Sequence, residues 1–138
     1  MKPMKQLVTD AGGLSRQALP GDGPLLNIAP TNLTTAGAGT LPAGLLGTGL
    51  LVRTGPGAAY ADTIDTGANI DTAYPNMAVG DCLSLHYSNN VAFASTITAA
   101  AGITLVTAGA NNVVPASTTV ILHLQKTGVG AYNLYVLG

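Results

Sequence analysis

The C-terminal part of the chain consists of short segments in which apolar and polar side chains alternate. In residues 82–88 the larger apolar side chains stand at every second position, which is the period of a strand with one buried face. Residues 91–98, 103–107, 119–125 and 131–136 repeat this β-type pattern, and Gly and Asn residues lie between them. Strands this short and this regularly spaced predict an all-β chain folded as an antiparallel β-sandwich. Among sandwich topologies we expect a jelly roll.

The N-terminal part of the chain has no sustained helical or strand period. It contains a Pro-Gly-Asp-Gly-Pro run, which is typical of a loop. We therefore interpret residues 1–40 as an extended N-terminal arm and residues 41–138 as the β-sandwich domain. Within that domain, residues 45–53 predict a strand that ends at a Thr-Gly-Pro-Gly turn. Residues 65–74 allow one short helical segment with an Asp or Thr cap.

Composition favours sheet over helix independently of the pattern. A chain of 138 residues fits one domain, which at this length buries roughly two thirds of its unfolded surface. Only 8% of the residues are charged, against about 25% in typical soluble domains, and Glu is absent. Because Glu and Lys are good helix formers and usual on exposed helical faces, their scarcity predicts that helix is a minor component.

The charge balance argues against two classes of partner. The net charge is −1 and the chain lacks the clustered Lys and Arg of a nucleic-acid-binding surface, so nucleic acid is not an expected partner. The most apolar window, residues 41–52, is interrupted by Pro and Gly and is shorter than the roughly 20 apolar residues of a membrane span. No membrane segment and no secretory signal are therefore expected. A weakly charged surface gives little repulsion between molecules, which favours a place inside an assembly.

No constellation of residues predicts catalysis. Cys82 is the single cysteine, so neither an intrachain disulfide nor a Cys-based zinc site can form in one chain. His86 and His123 are the only histidines, and because a metal site needs at least one further ligand we interpret them as polar residues of the sheet. Four acids lack the spacing of a calcium loop and are expected in turns and helix caps: Asp62, Asp65, Asp71 and Asp81. With no nucleophile elbow and no phosphate-loop motif, we expect no enzyme activity, no metal and no cofactor.

One mild basic cluster lies in the N-terminal arm. It consists of Lys2, Lys5 and Arg16 and has two interpretations. In the first, the segment is a solvated, flexible terminus. In the second it is a docking arm, in which the three charges act together with Leu7 and Val8 on an acidic surface of a partner.

The series of strands and turns carries a resemblance. A Gly-Asp pair at residues 80–81 opens an alternating strand, and an Asn-Asn turn follows at residues 89–90. Ala-Gly-Ile-Thr-Leu stands at residues 101–105, a Thr-rich strand at residues 117–125, and Ala-Tyr-Asn-Leu-Tyr-Val at residues 131–136. This series resembles the small β domains of tailed-phage head proteins, which are capsid cement or decoration modules. The resemblance covers roughly the last 60 to 80 residues and is one of strands and turns, with no catalytic signature.

The resemblance implies a structural protein of the virion that is made in the host cytoplasm. Such a protein sits on the outer capsid surface, bridges neighbouring subunits of the major capsid protein and resists the internal pressure of packaged DNA. Its partners would be the major capsid protein and itself. A homodimer is the first expectation because twofold association is the commonest symmetric solution, and a trimer at a local threefold axis is the alternative.

Two other function classes fit the fold class less well. A receptor- or carbohydrate-binding head or tail fibre module is the runner-up, since sandwich folds also host lectins. Sugar sites usually use an exposed aromatic platform, whereas this chain has no Trp, one Phe and five Tyr. A small hydrolase or isomerase would bring several His and acidic side chains together inside a barrel, and two His without any Glu argue against it.

Overall fold

The computed structural model describes residues 30–106 and 112–138 throughout, together with two short strands that precede them. These parts of the chain form twelve strands, one turn of 3-10 helix (Ala43–Leu45) and one α-helix, α1 (Gly67–Ala73). The strands are β1 (Leu7–Thr9), β2 (Ser15–Gln17), β3 (Thr31–Leu33), β4 (Gly39–Leu41), β5 (Leu50–Arg53), β6 (Tyr60–Ile64), β7 (Cys82–Asn89), β8 (Ser95–Ala99), β9 (Ile103–Leu105), β10 (Val113–Val114), β11 (Thr118–Gly128) and β12 (Ala131–Leu137).

The described strands form three sheets. One has six strands in the order β3-β5-β7-β11-β12-β9, one has four in the order β10-β8-β6-β4, and β1 pairs with β2. The strands β7, β11 and β12 pair antiparallel, whereas β3-β5-β7, β4-β6-β8 and β9-β12 pair parallel. The prediction of a sheet-rich chain with little helix is confirmed. The prediction of purely antiparallel sheets is wrong, because both large sheets are mixed.

The parallel pairs arise because the chain changes sheet after almost every strand. From β3 to β11, successive strands lie alternately in the six-stranded and the four-stranded sheet. From β3 to β8, a strand that returns to a sheet after one strand in the other sheet runs parallel to the strand it joins, whereas β10 returns antiparallel to β8 and makes the four-stranded sheet mixed. Thr31 of β3 therefore pairs with Leu51 of β5, and Leu51 pairs with Tyr87 of β7, all three in parallel strands. This winding is not visible as a local period in the sequence.

One hydrophobic core joins the two large sheets. In β11, Val120, Leu122 and Leu124 are buried, whereas Thr119 is exposed and His123 is half-buried. This is the alternation that the sequence predicted for a strand with one buried face. The four-stranded sheet contributes one buried apolar residue from each strand to the same core: Leu41, Ile64, Ile97 and Val114.

Helix α1 covers one end of this core and confirms the short helix predicted for residues 65–74. Thr66 is its N-cap, and the Thr66 hydroxyl accepts a hydrogen bond from the Asn69 backbone N–H at 3.2 Å. Asp65 accepts further bonds from the Thr66 backbone N–H and the Asn69 amide, both at 2.7 Å. Ile70 is fully buried and attaches the helix to the core.

Three glycines allow α1 and two turns to meet at the same end. They are Gly67 at the start of α1, Gly102 between β8 and β9, and Gly130 between β11 and β12. A Cβ added to Gly67 would lie 2.0 Å from the Gly130 carbonyl oxygen, and one added to Gly102 would lie 2.1 Å from it. Gly102 and Gly130 also have positive φ angles of 82° and 60°. Side chains at these positions would hold the helix away from the sheet.

The β domain was predicted to begin at residue 41, but the first strands of the two large sheets, β3 and β4, begin before that residue. Strand β3 lies at one edge of the six-stranded sheet and β4 at one edge of the four-stranded sheet. Of the proposed arm at residues 1–40, residues 1–29 lie outside the described residues except for β1 and β2, which pair antiparallel with Val8 opposite Arg16. In the described ranges no helix is long and apolar enough to span a bilayer.

Candidate functional site

A group of polar side chains lies inside the molecule, between the two large sheets. Arg53 of β5 and Asp62 of β6 form an ion pair with 2.8 Å between Nε and Oδ2, and neither side chain is exposed. The Tyr87 hydroxyl, from β7, donates to the same Asp62 oxygen at 2.7 Å and lies 2.9 Å from the Ser95 hydroxyl. Burial raises the pKa of Tyr87, which keeps its hydroxyl protonated as a donor.

The Arg53 guanidinium also fastens the connection between β3 and β4. Its Nη1 donates to the backbone carbonyls of Leu33, Thr35 and Thr54 at 3.1, 2.7 and 3.0 Å, and its Nη2 donates to that of Gly37. The bonds to Thr35 and Gly37 satisfy carbonyls of the segment between the two strands. Arg53 is therefore a structural cation whose donors are engaged by the protein.

Asn89, the register partner of Arg53 on β7, belongs to the same buried group. Its side-chain oxygen accepts from the Tyr60 hydroxyl at 2.6 Å. Its amide nitrogen donates to the carbonyls of Phe93, Val114 and Pro115 at 2.9, 3.2 and 2.9 Å. The members of this network have protein partners and its ion pair is fully buried, so the network holds the two sheets together.

A second polar cluster joins α1 to the β11–β12 turn. Asp71 pairs with the Lys126 ammonium at 2.8 Å and accepts from the Tyr132 hydroxyl at 2.5 Å and the Gly130 backbone N–H at 2.6 Å. The hydrogen bond from Lys126, followed by those from Tyr132 and Gly130, lowers the pKa of Asp71 to about 2. Burial, with the Asp71 bond, raises the pKa of Tyr132. These contacts attach α1 to the β11–β12 hairpin of the six-stranded sheet.

The side of the six-stranded sheet that points away from the core, here called the outer face, carries no charged side chain. On β7 and β11, residues of this face lie opposite each other as Ser84 with His123, His86 with Ile121, and Ser88 with Thr119. Its members on the described strands are uncharged: Asn32, Leu50, Val52, Cys82, Ser84, His86, Ser88, Thr104, Thr119, Ile121, His123, Gln125, Asn133, Tyr135 and Leu137.

The opposite surface, on the four-stranded sheet, is uncharged as well. Thr40, Thr63 and Thr98 form one row across β4, β6 and β8. The Thr63 and Thr98 hydroxyls are 2.7 Å apart. The charged side chains of residues 30–106 and 112–138 are Arg53, Asp62, Asp65, Asp71, Asp81 and Lys126, and each takes part in the contacts described above or, for Asp81, in a turn with the Ala78 N–H.

Both histidines lie on the outer face, on neighbouring strands. The His123 Nδ1 atom is 2.9 Å from the Ser84 hydroxyl oxygen. The Tyr135 ring is on the other side of His123, with ring centroids 6.2 Å apart and tilted by 55°. The hydroxyl of Ser84 and the imidazole of His123 are within hydrogen-bond distance, as in a catalytic nucleophile and its base. They lie on an open sheet face, and no carboxylate on the described strands of that face orients the imidazole.

A shallow, open depression of about 350 Å³ lies after the C-terminal end of α1. It is lined by residues 73–77 and Asp81, and its aromatic member is Tyr74. The Tyr74 hydroxyl is already engaged, because it accepts from the Gly47 N–H at 2.7 Å and donates to the Gly44 carbonyl at 3.1 Å. The depression therefore presents few unengaged polar groups to a ligand.

The residues predicted to dock on a partner are only partly placed. Lys2 and Lys5 lie outside the described residues. The backbones of Leu7 and Val8 lie in β1 and that of Arg16 lies in β2, so pairing of the two strands brings these three positions together.

The roles expected for the acids are partly as predicted. Asp65 supports the helix cap and Asp81 a turn, whereas Asp62 and Asp71 form ion pairs. In the part of the chain that the structure describes, no three His, Cys, Asp or Glu side chains lie close enough together to hold a metal ion. The inward position of the polar cluster could have been found by parity, since Arg53 is two residues from Leu51 and Asp62 is two residues from Ile64.

Compared with protein-family models, with curated proteins and with solved structures, the chain matches none. The candidate functional surface is defined by its own chemistry, which is that of two uncharged sheet faces on either side of a hydrophobic core that contains a cluster of buried polar side chains.

Proposed function

We propose that the chain is a non-enzymatic structural protein of a tailed-phage head, a cement or decoration protein that binds the outer capsid surface. It would hold neighbouring subunits of the major capsid protein together. The observation that carries the proposal is the distribution of charge. The described charged side chains are paired or hydrogen-bonded within the chain, and both large sheets present uncharged faces.

An uncharged sheet face is suited to burial in an assembly. Covering charged groups costs free energy unless each finds a partner, whereas Thr, Ser, Asn and apolar side chains are covered at little cost. A face without like charges also does not repel a second protein. These properties are expected of a protein that works in contact with other subunits.

The polar interior supports a structural role over an enzymatic one. The one aspartate and the arginine described between the sheets, Asp62 and Arg53, are engaged in contacts that join β5, β6 and β7. The one Ser-His pair in the described residues lies on an open face without an orienting carboxylate. The finer topology expected with such head domains, a jelly roll, is part of the proposal, and the antiparallel pairing of β7, β11 and β12 is the feature that supports it.

The mechanism of cementing would be multivalent. Each copy contributes modest contact energy, and symmetry repeats that contact over the shell, so that neighbouring subunits cannot separate without breaking many contacts together. A protein that binds only the intact shell stabilises it by mass action. Within the proposal the chain is a homodimer, and its docking residues are those of the N-terminal arm.

The test compares phage particles that lack this protein with matched decorated particles. We expect the depleted particles to release DNA at a lower temperature or under milder osmotic shock, while adsorption to the host is unchanged. Adding the purified chain back should restore the release temperature. Equal release temperatures together with lost adsorption would refute cementing and favour the receptor-binding alternative.

A further inference from the structure

The outer face places the two histidines of the chain side by side on neighbouring strands. Ser84 is directly opposite His123, and His86 is two residues further along β7 on the same side. His86 and His123 are therefore diagonal neighbours, for which the Cα separation is roughly 7–8 Å. Metal–imidazole bonds of about 2.0–2.1 Å allow one ion to bind between two rings that lean together from such positions.

Ser84 orients one of the two rings. Its hydroxyl oxygen is 2.9 Å from His123 Nδ1. When Nδ1–H donates to this oxygen, Nε2 carries the lone pair and is the atom left to bind an ion. Histidines that bind metals usually donate their other N–H in this way, and the contact fixes both the tautomer and the direction of the ring. The tilted Tyr135 ring on the other side of His123 limits the space in which the imidazole can turn.

The surroundings select the class of ion. Imidazole nitrogen suits Zn²⁺, Cu²⁺ and Ni²⁺, whereas Mg²⁺ and Ca²⁺ need carboxylates and carbonyls. The outer face has no carboxylate on the described strands. Cys82 is on the same side of β7, but it is four residues from His86, which in a strand is roughly 13 Å. Cys82 lies opposite Gln125 and is diagonal to His123 on the side away from His86, so an ion held between the two histidines is out of its reach.

One chain therefore supplies two ligands, and zinc in a structural site takes four. We propose that His86 and His123 form a half-site for Zn²⁺, which a second copy of the chain completes with its own His86 and His123 about a twofold axis. A twofold axis brings the same patch of both copies together, so two ligands per chain become four around one ion. The uncharged face lets the copies approach without unpaired charges between them.

The test uses the untagged, metal-free chain and measures its molar mass by light scattering with and without ZnCl₂. We expect a monomer in chelator and a dimer with one Zn²⁺ for every two chains. His86→Ala and His123→Ala should each abolish the dimer. Cys82→Ser should keep it, and Ser84→Ala should weaken zinc affinity about 10–100-fold. Binding should weaken as the pH falls, because only neutral imidazoles bind the ion.

The substituted side chains lie on the surface of the sheet, so circular dichroism should show that each variant is folded. The proposal is overturned if the molar mass is the same with and without Zn²⁺, if the histidine variants dimerise like the parent chain, or if one Zn²⁺ binds per monomer. This outcome is separate from capsid binding. A chain that protects particles yet ignores Zn²⁺ refutes the zinc site and leaves the decoration proposal intact.

Discussion

Asp62 Oδ2 and Arg53 Nε are 2.8 Å apart in the interior of the protein, and neither side chain has any exposed surface. One residue comes from the six-stranded sheet and the other from the four-stranded sheet. The contact therefore spans the space between the layers, and through Arg53 it also holds the carbonyls that follow β3. It fixes how the two sheets sit on each other.

Removing one partner of this pair should be strongly destabilising. Asp62→Ala leaves a buried guanidinium without its carboxylate, and Tyr87 without one of its acceptors. We expect a loss of about 3–5 kcal/mol in the free energy of unfolding, measured by urea denaturation. Thr40→Ala, at an exposed position of β4, is the control and should stay within about 0.5 kcal/mol.

The double variant Arg53→Met with Asp62→Leu separates the cost of an unpaired charge from the cost of lost packing. Because it removes both charges, it should recover part of the stability that Asp62→Ala loses. If Asp62→Ala unfolds at the same urea concentration as the parent chain, the ion pair does not hold the sheets together.

Gly67→Ala should destabilise the chain even though Ala is the better helix former. The added Cβ would lie 2.0 Å from the Gly130 carbonyl oxygen, so the start of α1 or the β11–β12 turn must move. We expect a loss of about 1–3 kcal/mol, the usual cost of overpacking. Gly44→Ala is the matched control, since no atom lies within 4 Å of its added Cβ. Equal thermal midpoints for the two variants would show that α1 does not pack as tightly as described.

The strands of the C-terminal part and helix α1 could be predicted because their signals are local. Alternation in β7, β11 and β12, and the Thr66 cap, each depend on residues within one element. The parallel pairing could not be predicted, since it depends on which sheet each strand joins. Thr31 and Leu51 are register partners, but no local sequence pattern indicates that they pair. The surface histidines were identified, but their proximity depends on the register of β7 and β11.

The buried polar cluster differs, because the spacing motifs of acidic residues indicate metal sites, turns and caps and not burial. The signal for burial is the face of the strand on which a residue stands. Asn89 has the same parity as Leu85 and Tyr87, which are buried, and that parity is the signal that predicts its inward position. Its partners are far away in sequence and could not be assigned from the pattern.

Asp71 should make stability depend on pH in the acid range. Its pKa in the folded chain is about 2, below the ordinary value of about 3.9 expected in the unfolded chain. The stabilising contribution is therefore fully present above the unfolded value and is lost as the pH falls through the folded value. Unfolding measured between about pH 5 and pH 2 should show a steeper loss of stability for the parent chain than for Asp71→Asn. Asp81→Asn, in an exposed turn, is the control. If stability falls with pH equally steeply in the parent chain and in Asp71→Asn, the Asp71 contacts do not stabilise the fold.

Deleting residues 1–17 should spare the fold and reduce binding to capsids. The two large sheets and their core are built from residues 31–137, so the truncated chain should keep the β-type circular dichroism and the unfolding midpoint of the full chain. If the arm docks on the shell, its loss removes a contact that symmetry repeats at every site, and occupancy on particles should fall. A full-length variant with Lys2, Lys5 and Arg16 changed to Gln distinguishes the charges from Leu7 and Val8. If the contact with the capsid depends on charge, this variant should bind less than the parent chain, and added salt should weaken binding of the parent chain. Decoration of particles by the truncated chain at the level of the full chain would show that the arm has no docking role.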